Sequence, residues 1–228
     1  MTHPARALYS TLKYWRSAGL SQMEIIRPVE ESLPQESYED LRLKELEQEK
    51  ELCLSCEQCE LSQTRQKAIY GEGALNAKIM FIGSSPDEMD EKAESFLQGE
   101  VGELMDRMIA KMGFVREELY LCPIVKCRPP SDRSPSGEEA NHCRKFIEKQ
   151  IEIIKPKIIC TLGTLASNYL LEINHSITDI RGKMQVWKGI PVMPTFHPAY
   201  LLKKKAARHI VWEDMLVIIE YISKVTKE

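Results

Sequence analysis

The chain has 228 residues, of which 43% are hydrophobic and 29% charged, and its formal net charge is −3. This length fits one substantial core of roughly 100–200 residues with an appendage. No apolar run approaches the ~18 residues of a membrane span, and the N-terminus lacks the apolar stretch and cleavage site of a signal peptide. We therefore expect a cytoplasmic protein, in which seven cysteines favour metal binding or catalysis over disulfides.

Charge is distributed unevenly along the chain. Twelve acids and four bases lie between Glu24 and Glu60, whereas the segment from Ile180 to Trp212 carries seven bases and no acid. A basic segment of this kind is typical of a surface that meets a polyanion, although many such clusters are only solvated faces. Composition alone leaves both interpretations open.

Residues 1–50 are predicted to be a helical, acidic extension of a domain that spans residues 51–228. Residues 5–16 form a predicted short helix, and the polar, proline-containing residues 27–36 form a predicted linker. Ser37, which is followed closely by two acids, predicts an N-cap and a helix that continues to about residue 52. This helix leads into three closely spaced cysteines.

The rest of the chain alternates between apolar strand patterns and helical patterns. This alternation is typical of an α/β fold with a parallel sheet, in which a turn after a buried strand commonly carries the chemistry. The predicted strands are 78–83, 119–125, 157–163, 184–187 and 190–195, the last two joined by a Lys188-Gly189 turn. The predicted helices are 102–112, 138–154, 164–171 and 206–223.

Five cysteines are predicted to converge at one place. Cys53, Cys56 and Cys59 form a C-x2-C-x2-C cluster, and Cys127 and Cys143 lie downstream, separated by fifteen residues. Four thiolates bind zinc or hold an iron–sulfur cluster, and spacing only partly decides between these groups. The wide separation of the downstream pair suits a bulkier cluster better than the two tight knuckles of a zinc ribbon. Two further cysteines lie within apolar strands and are predicted to be inert core residues, Cys122 and Cys160.

Short motifs between Cys56 and about Asp214 resemble, in order, those of the family 4 uracil-DNA glycosylases, the iron–sulfur branch of that superfamily. VKCRPP and HPAYLL are together the most specific of them. The others are C-x2-C-E-L, YGEG, an apolar strand ending in G-x-x-P, G-x-x-G-x-L-x-D-x-M, Cys143, a strand ending in TLG, and the pair Arg181-Gly182.

The resemblance implies a fold, an activity and a cofactor. The implied fold is a uracil-DNA glycosylase-like three-layer sandwich with a four-stranded parallel sheet flanked by helices. The implied activity is that of a DNA-repair glycosylase, which hydrolyses the N-glycosidic bond of uracil or another deaminated base in single- or double-stranded DNA. We expect it to act as a monomer without a membrane partner. The implied [4Fe–4S] cluster is held by Cys56, Cys59, Cys127 and Cys143, with Cys53 outside the pattern.

Three pocket positions depart from the family pattern. Family members usually read G-E-A-P-G after the first strand, with the Glu assigned to catalysis, whereas this chain has Ser84 at that place and continues to Asp87. An Asn near the base pocket is replaced by Pro123. The Phe that stacks on a flipped uracil is represented by Phe96, one place early. The resemblance therefore predicts reduced or redirected activity, and the G-S-x-P turn is reminiscent of the hypoxanthine-type branch of the superfamily.

The remaining candidate residues follow from the chemistry of base removal, in which the base leaves as an anion from an oxocarbenium-like sugar. A lone His more often caps or packs, but His197 lies inside HPAYLL and resembles the family residue that donates to uracil. Ser84 has too high a pKa to replace the missing Glu, and Asp87 is an alternative acid. Gly83, Phe96 and Pro123 are predicted to border the base.

Basic residues near HPAYLL are predicted to contact phosphates. Two hypotheses of other classes stay open, namely a catalytically inactive iron–sulfur protein that binds nucleic acid and, less consistent with the His-Pro loop, an electron carrier. The predicted contacts are Lys203, Lys204, Lys205 and Arg208, with Lys126, Arg128 and Arg133 extending the groove.

Overall fold

A computed structural model describes residues 37–226. The predicted helix at 5–16 and the predicted linker at 27–36 lie outside this range. The helices are α1 (Tyr38–Leu54), α2 (Leu61–Thr64), α3 (Glu88–Ala93), α4 (Gly99–Lys111), α5 (Gly137–Ile154), α6 (Gly163–Leu171), α7 (Ile177–Ile180), α8 (Pro198–Lys203) and α9 (Arg208–Val225). The strands are β1 (Glu72–Gly73), β2 (Ile79–Gly83), β3 (Tyr120–Pro123), β4 (Ile158–Leu162), β5 (Gln185–Trp187) and β6 (Ile190–Thr195).

The strands form one mixed sheet in the order β1-β3-β2-β4-β6-β5. The central strands β3, β2, β4 and β6 are parallel, and the short strands β1 and β5 add antiparallel edges. The predicted four-stranded parallel sheet is therefore confirmed as the centre of a wider sheet. The two-residue strand β1 gives no sequence pattern of its own, because alternation cannot show over so short a length.

Helices cover both faces of the sheet, so the predicted three-layer arrangement is also confirmed. Met80 and Ile82 of β2 pack in one core with α1, α5 and α6, whereas Ile79 and Phe81 pack in a second core with α4 and α9. Successive strand residues point to opposite faces, and all five residues of β2 are buried. This explains why the strand is continuously apolar instead of alternating.

The helix α1 begins as predicted, because the Ser37 side chain accepts the backbone N–H of Asp40 at 3.1 Å. Arg42 attaches this helix to the end of α5 by donating to the carbonyl of Ile153 at 2.9 Å. The predicted domain boundary near residue 50 falls inside α1, and the division into an extension and a domain stays a prediction. Within residues 37–226, no helix has the length and apolar character needed to cross a bilayer.

The central strand β3 ends at Pro123, two residues before the predicted end. Ile124 and Val125 still donate their N–H groups to the carbonyls of Gly83 and Ser84, each at 2.9 Å. The chain therefore runs on beside β2 for two residues after the strand. The first residue of the VKCRPP motif, Val125, therefore still lies beside the turn after β2.

Candidate active site

The carboxyl ends of the parallel strands meet at one edge of the sheet, where Gly83, Phe96 and His197 come together. A Cβ atom built on Gly83 would lie 2.6 Å from Phe96 Cζ and 3.6 Å from His197 Nε2. The missing side chain at Gly83 therefore lets the Phe96 ring approach the backbone of β2 beside the imidazole. Pro123 is buried and is paired in register with Gly83. Four of the predicted site residues thus border one place.

His197 caps the helix α8, and this contact fixes the tautomer of its ring. Nδ1 accepts the N–H of Ala199 at 3.2 Å, so the proton of the neutral ring lies on Nε2. Burial lowers the pKa of His197 to about 4, and the Asp87 carboxylate acts in the opposite direction. The ring is therefore neutral at pH 7 and has an N–H donor on the side of Gly83.

The turn after β2 carries Ser84 and Asp87, the two candidates for the missing acid. Asp87 is the N-cap of α3, because its Oδ1 accepts the N–H groups of Met89 and Asp90 at 2.8 and 3.0 Å. Among residues 37–226, this leaves Oδ2 without a hydrogen bond, and the carboxylate interacts electrostatically with His197. The capping contact is a structural role for Asp87, and catalytic roles of Ser84 and Asp87 stay predictions.

The loop between α3 and α4 carries Phe96, whose ring is only 1% exposed. Asp90 holds one side of this loop by accepting the N–H of Gln98 at 2.7 Å. Arg116 holds the other side, since it donates to the Phe96 carbonyl and forms an ion pair with Glu72 at 3.4 Å. These contacts were not predicted from the sequence, because Asp90, Arg116 and Glu72 come from separate segments. Only Glu72 lies in one of the short motifs, YGEG.

A second network that the sequence did not reveal fixes the strand that leads to His197. Arg181 donates through Nε to Asp214 Oδ2 at 3.1 Å, and Thr195 donates to the same oxygen at 2.6 Å. Asp214 is 2% exposed, and a Cβ atom on Gly182 would lie 2.7 Å from its Oδ1. The Arg181-Gly182 pair of the motif therefore serves this carboxylate, which lies far along the chain on α9.

The predicted phosphate contacts fall on an exposed surface beside α8. Lys203, Lys204, Lys205 and Arg208 are all exposed. Tyr200 of the same helix is 42% exposed and stacks on Phe196, with ring centroids 4.7 Å apart. An exposed aromatic ring beside cations is typical of nucleic-acid surfaces.

The predicted extension of this surface is wrong for Lys126. That side chain is 1% exposed, and Nζ donates to two backbone carbonyls at 2.8 Å and to Gln150 at 2.6 Å. Burial excludes it from DNA. Arg128 and Arg133 also form ion pairs with acids of this chain, at 2.7 and 2.6 Å. Their role in DNA contacts stays a prediction.

Five cysteines lie in one region of the core between the sheet and α1 and α5. Cys53, Cys127 and Cys143 are buried there, and Cys56 and Cys59 pack against them, half-buried. The thiols interact electrostatically, Cys53 with Cys143, Cys127 and Cys56, and Cys143 with Cys59 and Cys56. Burial raises the pKa of Cys53 to about 12 and that of Cys127 to about 11. Cys122 and Cys160 are fully buried in strands, as predicted for core residues.

The cysteine region offers hydrogen-bond donors to a bound acceptor. Within residues 37–226, no three His, Cys, Asp or Glu side chains are close enough to hold a single metal ion. Arg65 donates to Cys127 Sγ at 2.9 Å. The hydroxyl of Tyr70, which packs in the same core as Cys53, is buried without a hydrogen-bond partner among the described residues. An acceptor in this region would satisfy that donor.

The chain is similar to known proteins over most of its length. The sequence profile of the uracil DNA glycosylase superfamily matches residues 70–216. A type-4 uracil-DNA glycosylase of Sulfurisphaera tokodaii is 41% identical over 184 residues, which are 77% of this chain and 84% of that protein. A type-4 enzyme of Thermotoga maritima is 39% identical over 173 residues, 74% of this chain and 90% of that protein. The chain therefore belongs to the uracil DNA glycosylase superfamily.

Proposed function

We propose that this chain removes uracil or another deaminated base from DNA, with His197 as the donor to the departing base. Membership of the superfamily makes the chain a DNA-repair glycosylase, a hydrolase of the N-glycosidic bond, whose partner is DNA. The family match and the relatives do not favour an inactive binding protein. The observation that carries the assignment is the tautomer of His197, which puts an N–H on the side of Gly83 and Phe96.

The donor acts on the charge that develops in the transition state. As the glycosidic bond breaks, the base takes up negative charge on its carbonyl oxygens, and a neutral imidazole N–H stabilises that charge by a hydrogen bond. A neutral donor suits this role because it is buried beside an apolar ring, where a permanent positive charge is costly to desolvate. The Nδ1 contact to the Ala199 N–H at 3.2 Å holds the imidazole in place before the base arrives.

The second requirement is a group that positions water or stabilises the sugar cation. Asp87 is the better of the two candidates, because its Oδ2 is free of hydrogen bonds among residues 37–226 and its carboxylate interacts with His197. Ser84 is half-buried at the place of the family Glu and has no charge to offer. Since Asp87 already caps α3, we expect it to supply less than the roughly 10²–10⁴-fold of a dedicated carboxylate.

The base is expected to lie against Phe96, with Gly83 and Pro123 behind it, after it leaves the DNA stack. The basic side chains beside α8 are expected to hold the flanking phosphates, because they are exposed and follow His197 directly. Lys203 and Arg208 are the principal candidates. We also expect the chain to act as a monomer in the cytoplasm.

We propose that a [4Fe–4S] cluster is held by Cys56, Cys59, Cys127 and Cys143. Support comes from the grouping of these thiols, the Arg65 donor to Cys127, and the unsatisfied hydroxyl of Tyr70. Bound there, the cluster would crosslink the segment after α1, the VKCRPP turn and α5, so that ligation energy contributes to folding.

Single-turnover excision tests the proposed activity. Wild-type protein in excess is mixed with single-stranded oligonucleotides that carry uracil, hypoxanthine or xanthine, and abasic sites are counted after alkaline cleavage. We expect release of at least one base, and His197→Ala should slow that release about 10²–10³-fold. His209→Ala is the matched control, because His209 is exposed on α9.

Two outcomes would contradict the proposal. Release of none of the three bases by pure, folded wild type would exclude the activity. Equal rates for His197→Ala and His209→Ala would exclude His197 as the donor.

A further inference from the structure

The cysteine region contains one thiol more than a four-iron cluster requires. Cys53, Cys56 and Cys59 lie upstream in two overlapping C-x2-C pairs that share Cys56. Cys53 belongs to the last turn of α1, and the N–H of Cys56 donates to its carbonyl at 3.2 Å. The two residues therefore lie on one turn of the chain at the entrance to the cluster region.

Burial distinguishes the extra thiol from an ordinary surface cysteine. Cys53 is 1% exposed, whereas the neighbouring Cys56 is half-buried. Cys53 packs in the same core as Cys127 and Cys143 and interacts electrostatically with both. Cys53 therefore shares its core with the two downstream thiols of the proposed cluster.

An independent observation points to a ligand beside Cys53. Tyr70 is 3% exposed, and its buried hydroxyl has no partner among residues 37–226. Tyr70 packs in the same core as Cys53. A buried donor without a partner is destabilising, so an acceptor such as a cluster sulfur is expected within its reach.

We propose that Cys53 is a reserve ligand of the cluster, which takes the coordination position of Cys56 when Cys56 is unavailable. This inference rests on the proposed cluster. In the exchange the Cys53 thiol gives its proton to solvent and binds iron as a thiolate, and the released Cys56 thiolate takes a proton from solvent. The charge of the cluster and the number of its ligands therefore stay the same. Cys56 is half-buried and lies one turn after Cys53, which is buried in the core.

Iron content tests the proposal without reference to activity. Iron per chain and the visible absorption of the cluster are measured for anaerobically purified wild type, Cys56→Ala, the double variant Cys53→Ala/Cys56→Ala, and Cys127→Ala. We expect about four irons in wild type, at least half of that content in Cys56→Ala, and none in the double variant or in Cys127→Ala. The matched double control is Cys56→Ala/Cys160→Ala, because Cys160 is a buried thiol in the opposite core, and it should retain iron like Cys56→Ala.

A second measurement keeps all natural ligands and so avoids the risk of misfolding. Iron release into a strong chelator should be at least threefold faster from Cys53→Ala than from wild type, because no reserve thiol recaptures the opened iron. Cys160→Ala should release iron at the wild-type rate.

The failures of the two proposals are distinguishable. Wild type without iron overturns the cluster itself, and the reserve role falls with it. Iron in wild type, together with its complete loss from folded Cys56→Ala, overturns only the reserve role. Equal release rates for Cys53→Ala and wild type also overturn it.

Discussion

Substitution of Gly83 by Ala tests whether the Phe96 ring packs as closely against Gly83 as the structure shows. The added methyl would lie 2.6 Å from Phe96 Cζ and 3.1 Å from Cε1, whereas carbon atoms in contact lie about 3.5–4.0 Å apart. Phe96 is 1% exposed, and its carbonyl is held by Arg116, so the ring has little room to move. We expect the free energy of unfolding to fall by about 1–3 kcal/mol, as in other overpacked cores.

Urea denaturation of wild type and variant measures this loss, and thermal melting should show about 2–4 °C for each kcal/mol. The matched control is Gly137→Ala, because a Cβ atom at Gly137 meets nothing within 4 Å. In the double variant Gly83→Ala/Phe96→Leu, the smaller side chain should relieve the contact, so the combined loss should be less than the sum of the single losses. Equal stability of Gly83→Ala and Gly137→Ala, or strict additivity in the double variant, would refute the reasoning.

Four further predictions follow from the same geometry. Ser84→Glu should raise single-turnover uracil excision within the roughly 10²–10⁴-fold of a positioned carboxylate, and His197→Ala should remove most of that gain, because both groups act on one transition state. Reversal of Lys203, Lys204 and Lys205 to Glu should weaken DNA binding and flatten the slope of log K against log salt, whereas reversal of Lys78 and Lys157, exposed before strands at the opposite sheet edge, should change neither. Since burial lowers the pKa of His197 to about 4, its imidazole should stay neutral from pH 8 down to about pH 5, and an NMR titration with a midpoint near 6.5 would contradict this. Asp214→Ala should lower the free energy of unfolding by about 3 kcal/mol, because Arg181 and Thr195 lose their acceptor, and an unchanged urea midpoint would exclude the network as a support.

The sheet could be predicted because its central strands are continuous apolar runs in the sequence. All five residues of β2 and all five of β4 are buried, and each such run is bounded by a glycine or proline that ends it. The hairpin of β5 and β6 could also be predicted, because a glycine follows Lys188 between the two strand patterns. Lys188 and Gly189 both have positive φ in the structure, a conformation that Gly adopts easily. The strand β1 was not, because its two residues pair with β3 through backbone atoms alone.

The residues that hold the candidate site in place were harder to predict from the sequence than the candidate catalytic residues. His197 stands in a motif, but the network behind it joins Arg181, Thr195 and Asp214 from three segments. Long-range contacts of this kind leave no local pattern in one sequence. For Lys126 the prediction from sequence is wrong. A lysine two residues before an arginine suggests a DNA-binding surface, but this side chain is buried and donates to backbone carbonyls.

The departures from the family pattern are scattered in the sequence but adjacent in the fold. Pro123 is paired with Gly83 across the sheet, Phe96 contacts Gly83, and Ser84 follows it. The changed residues therefore surround one glycine of the proposed base pocket, whereas His197 beside that glycine is retained in HPAYLL. Loss of catalysis alone gives no reason for the proposed donor His197 to be retained while the residues around Gly83 change. The distribution of changes argues for a glycosylase whose choice of base has been altered, and the comparison of uracil, hypoxanthine and xanthine excision tests this point directly.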